Sequence, residues 1–185
     1  MAKTISFTGL AASFRTIGAA ATTQNLFTIE NASGSPVIVG IRRLLVQLDA
    51  TAYLSVVMPL VKTSRPSALP TGGTILPKTT MDVSTTGSSD SVVIRGGNAY
   101  NGGAATAITA TAGTILWQQY AMRMHSVVGQ VFTDDNPVLP SLTQDTSFVL
   151  RANEGLLVQV VSAATGSNPT TNHWWVECVW EEYTE

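Results

Sequence analysis

Residues 173–183, HWWVECVWEEY, constrain this chain more than any other stretch, because their pattern makes sense only on an extended backbone. Side chains along a strand point alternately to opposite faces. Trp174, Val176, Cys178 and Trp180 therefore share one side, and Trp175, Glu177, Val179 and Glu181 share the other. The first set is wholly apolar and reads as a core face. The second places two carboxylates beside a tryptophan and has to meet water, a loop or a neighbouring subunit. Three of the four tryptophans of the chain lie here, so much of its largest apolar area is committed to one strand. The preceding FVLRANEGLLVQVV reads as a second strand, joined to it by a polar loop, so that residues 148–185 are expected to form a terminal pair.

Upstream, NLFTIEN and VIVGIRRLLVQLDA flank ASGSP, whose glycine and proline favour a tight turn. In the second of these strands the apolar set is Val37, Val39 and Ile41, then Leu44, Val46 and Leu48. That one-residue shift predicts a bulge over residues 40–43. TAYLSVVMPLVKTSRP has Leu54, Val56, Met58 and Leu60 on one side and Tyr53, Val57 and Val61 on the other; Pro59 places it at a sheet edge or a bend. SVVIRGG reads as a short strand, and residues 107–110 as a weak one. Residues 64–91 form a long Pro/Gly/Ser/Thr-rich loop with one short strand around Ile75, the kind of loop that makes contacts. Residues 115–128 fit a helical stripe (Leu116, Tyr120, Met124, Val127) or a strand (Leu116, Tyr120, Met122, Met124). Strand is the expectation, since Gly113 and Gly129 bound the segment and no capping box precedes it.

The first 24 residues read either as a loose arm or as a short strand at 4–8 followed by a flexible segment, and residues 25–185 as one domain. About eight short strands, with no βαβ alternation and no internal repeat, indicate an all-β, single-domain antiparallel β-sandwich. Long crossing loops favour a jelly-roll-like form.

Charged residues make up 12% of the chain, against a usual ~25%, and mean hydropathy is +0.20. A surface covered by Ser, Thr, Asn, Gly and Ala suits packing against copies of itself. A net charge of −2 and a pI near 5.6 oppose binding to nucleic acid or an anionic membrane, which needs a basic patch. The one adjacent basic pair, Arg42 and Arg43, is expected to point to opposite faces. No apolar run approaches the ~18 to 20 residues of a membrane span. No secretory signal is visible, so synthesis and folding in a cytoplasm are expected. The single cysteine excludes an intrachain disulfide, and Cys178 on the apolar face reads as a buried thiol.

Chemistry finds little purchase. His125 and His173 lack any nucleophile elbow nearby, and His173 and Cys178 face opposite ways on a strand, short of the four convergent ligands of a structural zinc. The pairs Gly72-Gly73, Gly96-Gly97 and Gly102-Gly103 lack the Gly-Lys-Ser/Thr of a phosphate loop. Asp134, Asp135 and Asn136 cluster oxygens before Pro137 but read as an Asx turn rather than a calcium loop. Glu177 and Glu181 stand roughly 13 Å apart along a strand, beyond the ~5 to 9.5 Å of paired glycosidase carboxylates. No catalytic, metal or cofactor-binding residue is therefore assigned, and no cofactor is expected. Trp175, Glu177, Val179 and Glu181 are the candidate contact residues, toward a subunit or, through Trp175, a sugar ring.

Three segments carry a resemblance: LFTIENASGSPVIVGIRRLLVQLDA, ILWQQYAMRMH, and VLRANEGLLVQVVSAATGSNPTTNHWWVECVWEE. Together they resemble the small jelly-roll virion proteins of tailed bacteriophages, over most of the chain from Asn25 onward. The resemblance implies a head decoration (cement) or related auxiliary capsid protein. It would be a non-enzymatic homo-oligomer, commonly a trimer, with the major capsid protein as its partner and the virion as its location after assembly in the host cytoplasm. The N-terminal arm and the 64–91 loop would then serve as contact elements. The alternative is a carbohydrate- or receptor-binding module of a tail or surface structure, using Trp175 or Tyr100.

Overall fold

The computed structural model describes residues 4–18, 23–50, 56–57, 60–81, 87–96, 107–120, 123–124, 148–161 and 171–184. Among them every regular element is a strand. The outgoing half comprises β1 (Thr4–Gly18), β2 (Thr23–Asn31), β3 (Ile38–Ala50), β4 (Val56–Val57) and β5 (Leu60–Pro66). Shorter ones follow: β6 (Thr71–Gly72), β7 (Thr74–Ile75), β8 (Thr79–Thr80), β9 (Val92–Gly96) and β10 (Ile108–Thr109). The return half comprises β11 (Ala112–Tyr120), β12 (Arg123–Met124), β13 (Phe148–Leu150), β14 (Glu154–Val161) and β15 (Thr171–Thr184).

Their pairing is nested. β1 pairs with β15, β2 with β14, β3 with β13, β4 with β12 and β5 with β11, all antiparallel. The chain thus runs out and returns along itself as one long hairpin. Further ladders, β15 with β3 and β14 with β5, gather it into two large sheets ordered β13-β3-β15-β1-β8 and β11-β5-β14-β2-β9-β7. The sheets pack face to face, which makes the chain an antiparallel β-sandwich.

One apolar cluster fills the space between them. Trp174, Val176, Cys178 and Trp180 contribute from β15, Leu44 and Val46 from β3, Phe27 and Ile29 from β2, and Leu156, Val158 and Val160 from β14. Trp180 and Cys178 are fully buried, so the face expected to be core is core. The strand partnering β15 is correspondingly small: Gly9 lies opposite Trp180, Ala11 opposite Cys178 and Ser13 opposite Val176. Indole rings on one strand leave room only for short side chains on the next.

The segment connecting the two halves closes the structure. Its β7 pairs with β9 of one sheet and its β8 with β1 of the other, so residues 74–80 cross one open side of the sandwich. Leu76 sits in the core, Lys78 Nζ donates to the carbonyls of Ser89 (2.8 Å) and Val92 (2.9 Å), and Met81 N donates to Thr8 O at 2.9 Å. The β6–β10 ribbon is held over the outer face of the second sheet: Asn25 Nδ2 donates to Ile108 O at 2.8 Å, and Arg95 reaches both Gly72 O (3.0 Å) and Glu30 (2.9 Å). Leu157, Thr28 and Ser64, although turned away from the core, are buried.

Several expectations are revised. The N-terminal segment is a strand running well past Thr8, in the middle of a sheet. FVLRANEGLLVQVV is two strands, not one: Asn153 adopts φ 66° in the turn after β13, and the chain changes sheets there. β14 and β15 therefore face each other across the core instead of pairing. β5 is an inner strand, not an edge, and Pro59 lies outside the described residues. Within 115–128, the described residues up to Tyr120 and at 123–124 are strand. The loop at 64–91 begins only after Pro66 and carries three two-residue strands, one of them at Ile75.

Candidate functional site

The predicted bulge shapes the outer face of the first sheet. Opposite β15, Trp180 aligns with Ile41 and Val179 with Arg43, which leaves Arg42 as the extra residue. An extra residue interrupts strict alternation, and both arginines end on the same outer face rather than on opposite ones. Arg42 Nε donates to Glu181 Oε2 at 2.7 Å, and Arg43 pairs with Glu177. The two outer-face glutamates of β15, Glu177 and Glu181, are thereby each matched by a neighbouring guanidinium.

Around them the register aligns half-buried apolar side chains. Leu10, Val179 and Arg43 form one cross-strand row, and Ala12, Glu177 and Leu45 the next. Trp175, also half-buried, sits one step further, opposite Phe14 and Gln47 in the ladders. Arg43 stands diagonally to Glu177, within reach of a long side chain.

Of the four residues singled out from sequence, Trp175, Glu177 and Val179 lie on this partly open face. Glu181 does not remain accessible: it is 2% exposed, with its carboxylate over Gly40 and under Arg42. Sequence reasoning missed Leu10, Ala12, Leu45 and the arginine pair. Their signal was the one-residue shift in the apolar pattern of residues 37–48, which dictates the bulge, and the long N-terminal strand, which small residues conceal.

This arrangement is suited to contact, not to proton transfer. Each carboxylate is occupied by an arginine, and a sheet face offers no enclosed space. A cleft of about 290 Å³ lies elsewhere, between residues 65–69 and the turn before β14, where Arg65 and Glu154 pair at 3.3 Å. Among the described residues no group of three metal-binding side chains occurs. His125, Asp134, Asp135, Asn136, Gly97, Gly102 and Gly103 lie outside the described residues, as does the side chain of His173. Gly72 and Gly73 both adopt φ 68°, as turn glycines do. Burial pushes the Cys178 thiol up to about 12, so it is no nucleophile. No helix is long and apolar enough to cross a membrane among the described residues.

Comparison with protein-family models, curated proteins and solved structures finds no match.

Proposed function

We propose that this chain is a non-enzymatic virion structural protein, a jelly roll that binds a capsid surface as an oligomer and stabilises the head. The observation that carries the reading is the nested strand order, β1-β15-β3-β13 in one sheet and β11-β5-β14-β2 in the other. A hairpin rolled up in this way supports a jelly roll, an architecture used by viral capsid and lectin domains. The weakly charged surface supports it too: with 12% charged residues, contacts to neighbours bury few ions that need compensation. Mechanically, a subunit touching several neighbours at once stabilises them by mass action and by linked contacts.

The test is reconstitution. Purified protein is mixed with particles lacking it, and bound protein and particle rupture temperature are measured. Saturable binding with a higher rupture temperature is expected; no binding at any concentration sinks the reading. The half-buried Trp175 favours a second reading, a glycan- or receptor-binding module. Glycan-array binding that is lost in Trp175→Ala would replace the first reading with this one.

A further inference from the structure

We infer that the outer face of the first sheet is the docking surface for a second copy of this chain, related by a two-fold axis. The inference rests on the oligomeric reading above and names its contact.

The two sheets treat their outer faces differently. On that of the second sheet lies the chain's own β6–β10 ribbon, tied down by Asn25 and Arg95, and Leu157 and Thr28 are completely buried there. That of the first keeps Leu10, Ala12, Leu45 and Val179 only half-buried, in two adjacent cross-strand rows around Glu177. Half-buried aliphatic side chains in a contiguous block gain free energy by losing the rest of their water.

Charge selects the occupant. Arg43 has 60% of its side chain exposed and Glu177 has 17%, and they lie diagonally across β3 and β15. A strongly charged partner would find this neutral pair unattractive. A second copy meets it with complementary charges: a two-fold axis between the two residues sets each Arg43 over the other copy's Glu177. The four groups then close into an alternating ring. Isologous contacts need one self-complementary patch, and this face supplies it; a trimer needs two different patches.

The experiment is sedimentation equilibrium of the full chain and three variants: Arg43→Glu, Glu177→Arg and Leu45→Glu. The wild type is expected at twice 19.5 kDa, and either charge reversal is expected to weaken self-association by about tenfold or more. Mixing Arg43→Glu with Glu177→Arg in equal amounts should restore the pair, because each variant then presents the charges the other requires. Leu45→Glu is expected to be monomeric; cooperative unfolding by circular dichroism separates this from misfolding, and the charge mixture decides the matter independently. A monomeric wild type, association indifferent to all three variants, or a mixture no tighter than the single variants each overturns the inference. Particle binding by a protein that fails these tests would leave the decoration reading standing.

Discussion

Gly9 lies against the indole of Trp180: a Cβ at this position would stand 2.6 Å from Cζ2 and closer still to the Phe7 ring. Neither ring can yield, since both are buried and packed on each other with centroids 5.9 Å apart. Gly9→Ala is expected to lower stability by about 1–3 kcal/mol, the usual cost of overpacking a core, read as a fall in the urea midpoint. Gly87, with nothing within 4 Å of its Cβ position, is the control. Gly87→Ala should change stability by no more than about 0.5 kcal/mol, or raise it slightly.

Asn31 ties together the end where the chain twice changes sheets. Its fully buried Nδ2 donates to Val37 O at 2.8 Å and Leu150 O at 3.1 Å, while its backbone carbonyl accepts from Asn153 N at 2.8 Å. Asn31→Ala leaves buried carbonyls without donors and is expected to cost roughly 1–3 kcal/mol. Asn31→Asp is expected to cost more at neutral pH, because it sets a carboxylate against the same carbonyls. Part of that loss should return as pH falls toward about 4, because a carboxyl buried against carbonyls takes up its proton above the unfolded value and, once protonated, donates once. Urea unfolding of both variants at two pH values checks this.

Cys178 is fully buried and its thiol is pushed up to about 12. Alkylation by iodoacetamide at pH 8 is therefore expected to require opening of the sandwich. Mass spectrometry should find native protein unlabelled and urea-unfolded protein labelled, with an intermediate urea dependence tracking the folding transition. Prompt labelling in the native state would contradict the packing of β15.

What the sequence made legible was whatever obeys a period of two. The buried set from Trp174 to Trp180 follows directly from alternation, and the shift between Ile41 and Leu44 located the bulge. The direction of Arg42 and Arg43 did not follow, because alternation was carried through a bulge that suspends it. β1 was obscured for a packing reason: its inward residues Gly9, Ala11 and Ser13 are small because Trp180, Cys178 and Val176 fill the space opposite. The break between β13 and β14 depends on Asn153 at φ 66°, a conformation asparagine tolerates without announcing it. The open outer face was half legible. β15 declared its share of it, whereas Leu10, Ala12 and Leu45 belong to it only through register.

Glu30 provides a pH signature of the fold. It is 4% exposed, on the side of β2 turned away from the core, and bonded to Thr28 at 3.0 Å and Arg95 at 2.9 Å. Burial raises its carboxyl above the ordinary 4.5, and the Arg95 charge and the two hydrogen bonds only partly oppose this. Between 4.5 and the raised value the folded chain holds a proton that the unfolded chain has released, so this group's contribution to stability is full below 4.5 and is lost as pH rises through the folded value. Glu30→Gln keeps an acceptor for Arg95 and Thr28 but cannot titrate. The wild-type stability minus that of Glu30→Gln, from urea unfolding between pH 4 and 7.5, is expected to fall with rising pH and then level off. A difference that rises with pH would mean that Arg95, and not desolvation, dominates the carboxylate.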